Sequence, residues 1–149
     1  MGTEKNYNRR CEKDYSAFRA FYYMLFLGTV VYPVTKLMYN IKIIGRENVP
    51  KNHNVIYAGN HVSYLDPPII SLAAWKTIAY MAKQELFKDD NKLLRFLVHT
   101  LGAFAVNRDK PEIATFKTVK AVFNTPWSLG IFPQGKIIKE PVIKDIHKG

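Results

Sequence analysis

Residues 55–67 read Val-Ile-Tyr-Ala-Gly-Asn-His-Val-Ser-Tyr-Leu-Asp-Pro. Val55 to Ala58 is a short apolar strand that stops at Gly59, and Asp66-Pro67 is a helix start. Asp66 serves there as an N-cap carboxylate with proline at the first helical position, and the helix runs to about Ala74. A strand that passes through a short loop into a helix is the first half of a parallel crossover unit. The loop carries His61 and, five residues on, Asp66. On one continuous helix five steps of 100° leave side chains about 140° apart, so the two would not meet. With His61 in the loop, the chain can fold them together. A carboxylate bonded to one imidazole nitrogen fixes the tautomer and leaves the other nitrogen as a base. An ordinary loop histidine beside a capping aspartate would have the same sequence.

Outward from this stretch, strands and helices alternate. Downstream come a strand over Thr77–Ala82 and a helix capped by Asp89 or Asp90, with Leu93, Leu94, Leu97, Val98 and Leu101 at helical spacing. Gly102 stops that helix, and Ala103–Val106 is strand-like. Pro111–Phe123 reads as a third helix, with Ile113, Phe116, Val119 and Phe123 as its apolar stripe, broken at Lys120. Leu129–Phe132 is a last buried strand running into Pro133. Upstream, Asn40–Ile44 reads as a strand, followed by a turn-rich link with Gly45, Pro50 and Asn52. The expectation is an α/β fold with a partly parallel sheet flanked by helices. Residues 40–149 form one unit, with 1–39 as a separate N-terminal segment. The charged end KIIKEPVIKDIHKG, residues 136–149, offers no element to close the sheet, so the domain is expected to be C-terminally incomplete.

The 149 residues are 48% hydrophobic and 23% charged, too apolar for a disordered chain. One cysteine, Cys11, excludes an internal disulfide framework. Twenty-two Lys and Arg against twelve Asp and Glu give a net charge of +10, which favours an anionic partner. Nucleic acid is the weakest such partner, because no RNA-module or helix-turn-helix pattern accompanies the charge. Ala20–Val34, AFYYMLFLGTVVYPV, is an uncharged run of 15 residues, shorter than the roughly 20 that span a bilayer. Pro33 interrupts it and Lys36 ends it. VYPVTKLMYN offers no signal-peptide cleavage site. A buried core helix and an interfacial or re-entrant membrane helix both fit. Tyr22, Tyr23, Tyr32 and Tyr39, bracketed by Arg19 and Lys36, favour a lipid–water boundary, and 1–39 is expected to associate with membranes.

Two further segments carry chemistry. Gly102–Arg108, GAFAVNR, ends a strand with an arginine, and in open α/β sheets ligands gather at that edge. Gly130–Lys136, GIFPQGK, is a strand followed by a Pro/Gly loop with an amide and a lysine. With Asn60-His61-(x4)-Asp66 before them, the three in this order resemble the blocks of the glycerolipid acyltransferase family, the lysophosphatidic acid acyltransferases. IGRENVP at residues 44–50 and AKQELF at 82–87 are similar to the family's connecting text.

The resemblance implies transfer of a fatty acyl group from acyl-CoA or acyl-carrier protein to the free hydroxyl of lysophosphatidic acid, giving phosphatidic acid. His61 would be the general base and Asp66 its orienter. Arg108 would hold the acceptor phosphate. Asn60, Gly102, Phe132, Pro133, Gln134, Gly135 and Lys136 would line the substrate site. It implies no bound cofactor and no metal, with a lysophospholipid, an acyl donor and an anionic membrane surface as partners, at the cytoplasmic face. Gln134 stands where the family usually has Glu, and Lys136 where it usually has Thr. These departures and the C-terminal end motivate an alternative: a truncated or non-catalytic, membrane-bound acyltransferase relic.

Overall fold

The computed structural model describes residues 9–87, 91–107 and 112–138. Among the described residues four strands form one sheet: β1 (Ile56–Ala58), β2 (Ile78–Lys83), β3 (Phe104–Val106) and β4 (Ser128–Ile131). Their order is β1-β4-β2-β3, and the three pairings among the described residues are all parallel. Leu129 of β4 faces Ile56 on one side and Ala79 on the other, while Met81 faces Phe104. Parallel neighbours need crossovers, which three helices supply: α3 (Asp66–Ala74), α4 (Lys92–Thr100) and α5 (Ile113–Phe123). Every carboxyl end of a strand therefore lies at one edge of the sheet.

Alternation along the strands builds a core on each face. Ala79, Phe104 and Leu129 point to a cluster with Leu72, Val122 and Trp127. Ile78, Tyr80, Ala103 and Ala105 point to a second cluster with Ala74, Phe87 and Val98. Gly130 lets the second layer form: a Cβ there would lie 2.3 Å from the Tyr80 ring, so only glycine lets that ring lie flat across β4.

The N-terminal segment is helical from Glu12 to Tyr39, 28 residues, long and apolar enough by composition to cross a membrane. Its pieces are a 3₁₀ turn at Glu12–Tyr15, α1 (Ala17–Phe26), a π-helical turn over Leu27–Val31 and α2 (Tyr32–Tyr39). Pro33 does not interrupt the helix, contrary to expectation. Proline has no N–H to give the preceding turn, and just before it the ladder widens, Tyr32 N–H bonding the Leu27 carbonyl five residues back. Asn40, at φ 45°, ends the helix, four residues beyond the Lys36 that closes the apolar run. Tyr15, Tyr23, Leu27 and Val31 lie on one side of this helix and are buried in the first core, where Tyr15 and Tyr23 both meet Trp127 edge-on.

Several local expectations are corrected. Asn40–Ile44 is irregular: Ile41 and Ile43 still turn inward and Lys42 and Ile44 outward, but no strand among the described residues bonds to them. Asp66 is the first residue of α3, not its N-cap, because its carboxylate is drawn back to the preceding loop. Asp89 and Asp90 lie outside the described residues, and Asn91 caps α4 by accepting from the Leu93 and Leu94 N–H groups. On α5, Ile113 and Phe116 are exposed, whereas Thr118, Ala121 and Val122 face the core. Val119 and Phe123, from the same expected stripe, are half-buried against the first core, so only its N-terminal half faces outward.

Candidate active site

The site stands at the carboxyl edge of the sheet, where β1 leaves through Gly59 and Asn60 into the His61 loop. Gly59 N–H still bonds the Ile131 carbonyl, so the loop departs from a fixed point. Asp66 Oδ2 accepts three hydrogen bonds: from His61 Nδ1–H at 2.9 Å, Val62 N–H at 2.7 Å and Ser63 N–H at 2.8 Å. Two fixed backbone donors mark that oxygen as a carboxylate acceptor, so the proton of the neutral imidazole sits on Nδ1. Nε2 keeps its lone pair, and among the described residues it has no partner.

The His61 backbone is held as firmly as its ring. Gln134 Oε1 accepts from His61 N–H at 2.9 Å, and the His61 carbonyl accepts from Ile138 N–H at 2.8 Å. Gln134 is only 3% exposed. The turn carrying it closes with Gly135 N–H on the Phe132 carbonyl, Pro133 occupying the second position that its fixed φ suits. Gln134→Leu leaves a half-buried N–H without its acceptor, so a loss of about 1–3 kcal/mol is expected in urea unfolding. Gln134→Glu, which keeps an acceptor oxygen, should lose less.

The imidazole stacks on Phe132 with centroids 4.1 Å apart and planes 17° apart, and Phe132 stacks on Tyr80 at 5.6 Å. Tyr80 is anchored in turn: Ser71 Oγ lies 3.1 Å from its hydroxyl and accepts from Tyr23 OH at 2.7 Å. Burial pushes the Tyr80 hydroxyl well above its ordinary pKa, which keeps it protonated within this network. Tyr80 and Ser71 were not singled out from the sequence. A tyrosine in a strand and a serine in a helix carry no signal of a role three contacts away.

His61 opens onto a cavity of about 530 Å³. Its wall is apolar: Phe26, Val31, Leu94, Leu97 and Ile131 are typical of it, with Phe132 and Gly135 near the histidine. Lys83, at the end of β2, is the single formally charged residue among the described residues lining it, and it pairs with Glu85 at 3.7 Å. Only its place at a strand's carboxyl end could have flagged it in the sequence.

The other expected site residues are placed unevenly. Asn60 is exposed in the loop before His61, and Lys136 is exposed after the turn. Gly102 does not reach the cavity. It precedes β3, at the opposite end from His61, with φ +64° and its Cα against the Trp127 ring, where a Cβ would come within 2.5 Å. Arg108 lies outside the described residues. Among the described residues no group of three or more His, Cys, Asp or Glu could hold a metal ion.

Residues 40–149 match the acyltransferase family. The chain is 36% identical over 99 residues to the 1-acyl-sn-glycerol-3-phosphate acyltransferase of Borreliella burgdorferi, covering 64% of this chain and 39% of that protein. It is 28% identical over 118 residues to the protein of the same description from Bacillus subtilis, covering 78% and 58%. A third such protein, from Streptococcus pneumoniae, is 28% identical over 117 residues, covering 76% and 44%. The chain thus spans about two fifths to three fifths of the length of these relatives. No solved structure matches.

Proposed function

We propose, from the premise that this chain belongs to the acyltransferase family, that it transfers a fatty acyl group to the free hydroxyl of lysophosphatidic acid. The observation that carries this reading is a fixed His61–Asp66 pair whose free nitrogen borders a large apolar cavity. A base beside an apolar wall suits a substrate that brings a hydroxyl and a long hydrocarbon together.

In this reading His61 Nε2 removes the proton from the acceptor hydroxyl as its oxygen attacks the thioester carbonyl of the donor. The new carbon–oxygen bond forms, and the carbon–sulfur bond breaks as the tetrahedral adduct collapses. The leaving thiolate takes the proton back from the imidazolium, so ester and free thiol are the products. Asp66 holds the ring and stabilises the cationic form that exists in between. The donor is acyl-CoA or acyl-carrier protein, and no bound cofactor takes part. Phe132, Pro133, Gly135 and Lys136 border the acceptor, with Asn60 at the loop and Arg108 on the phosphate.

The apolar helix Glu12–Tyr39 supports membrane association. With one side in the protein core, it would lie along the cytoplasmic face of a bilayer rather than cross it.

An acceptor panel of lysophosphatidic acid, glycerol-3-phosphate and a neutral lysolipid, assayed with both donors in detergent micelles, tests the reaction. Lysophosphatidic acid should be preferred. A guanidinium on its phosphate is worth about 1.5–3 kcal/mol, so Arg108→Ala should raise the acceptor KM roughly 10- to 150-fold and leave the donor KM unchanged. Arg108→Lys should recover only part, since an ammonium cannot make the forked contact. A rise in the donor KM alone would reassign the arginine to the donor.

A further inference from the structure

We propose that α4 is a second lipid-contacting surface, and that it and the N-terminal helix together seat the cavity mouth on an anionic bilayer leaflet. This rests on the reading that the N-terminal helix docks on lipid. The mouth can be located from residues that both line the cavity and stay exposed. Val30, Val34 and Tyr39 do so on the N-terminal helix, Tyr64 in the His61 loop and Leu93 on α4. The opening therefore lies between the two helices, with the histidine loop at its rim.

One turn beyond Leu93, Phe96 is 57% exposed, and Leu93 itself is 67% exposed. Two large apolar side chains a turn apart on a short helix are costly against water. Lys92 and Arg95, also exposed, alternate with them. Such a mixture suits the boundary where apolar side chains enter the acyl layer and cations meet phosphates.

Charge complementarity identifies the occupant. Residues 91–107 contain no Asp or Glu, and neither do residues 15–46, which carry Arg19, Lys36, Lys42 and Arg46. The two helices are also joined: the Arg19 guanidinium donates to the His99 carbonyl near the end of α4 and, at 2.9 Å, to the Asp14 carbonyl. Over residues 15–46 and 91–107 the two helices therefore present one apolar and basic surface beside one opening. A lipid substrate could then pass from the leaflet into the cavity without its chain crossing water.

The test places one environment-sensitive fluorophore on the full chain. In a Cys11→Ser background, nitrobenzoxadiazole is attached through Phe96→Cys, or as a control through Asn52→Cys in the exposed loop before β1, at the opposite edge of the sheet. Vesicles of phosphatidylcholine and phosphatidylglycerol in equal parts are added, with and without brominated acyl chains. The label at 96 should shift to the blue and be quenched by bromine, while the label at 52 should do neither. Leu93→Glu with Phe96→Glu should weaken vesicle partitioning at least about tenfold with an unchanged melting curve.

Flotation with vesicles while the label at 96 stays water-like would overturn the α4 contact and leave the N-terminal one standing. No flotation of the unmodified chain would overturn both. A label already blue in buffer, reverting on dilution, would show that a second copy covers this face and would also overturn the proposal.

Discussion

Acyl transfer should fall about 10²–10⁴-fold when His61 is replaced by alanine, the usual worth of a positioned general base. The fold should survive. The imidazole is a side chain at a cavity edge, and Asp66 keeps its two backbone donors from Val62 and Ser63 without it. The stability loss combines the aromatic stack on Phe132, about 0.5–1.5 kcal/mol, with the hydrogen bond from Nδ1–H to Asp66, about 0.5–1.5 kcal/mol. Initial rates of thiol release, set beside a urea titration, separate the two effects. Turnover within a few-fold of the parent in a folded His61→Ala protein would sink the mechanism. Asp66→Asn is the informative companion: its amide oxygen can keep the Val62 and Ser63 donors, but the charge that stabilises the imidazolium is gone, so turnover should fall while the fold holds.

Deleting residues 1–39 should unfold the domain rather than release a soluble enzyme. Tyr15, Tyr23, Leu27 and Val31 are buried beside Phe104, Trp127 and Leu129. Each such side chain contributes about 1.5–3 kcal/mol, and together they rival the whole stability of about 5–15 kcal/mol expected of a domain. The cut would also remove the Tyr23 hydroxyl from Ser71, and the Arg10 N–H from the buried Thr118 hydroxyl. Circular dichroism should show loss of the cooperative transition. By contrast, Phe18→Ser with Leu37→Ser changes side chains 72% and 85% exposed, so the melting curve should hold while vesicle binding falls. A deletion that melts cooperatively near the parent's midpoint would refute the structural role.

Much of this was legible in the chain itself. Short apolar runs ending in Gly or Pro, alternating with helical spacing, determined an α/β fold, because a strand buried on both faces has few other sequences available to it. Asn60-His61-(x4)-Asp66 at a strand-to-helix junction determined which two side chains could meet, since the loop between them is too short to carry them apart. Tertiary structure alone decided the rest. Whether Asn40–Ile44 becomes a strand depends on a neighbour to bond with, and no local pattern records that. Pro33 reads as a breaker until the turn before it widens. Gln134 and Lys136 look alike as polar loop residues, yet one is buried on the His61 N–H and the other faces water. Gly102 belongs to a motif by its position in the sequence but to Trp127 by packing. The apolar run of the N-terminal helix could have been core or membrane surface. It has one face in the core and the other exposed, because burial is settled by what the fold brings alongside each residue and not by the residue's own hydropathy.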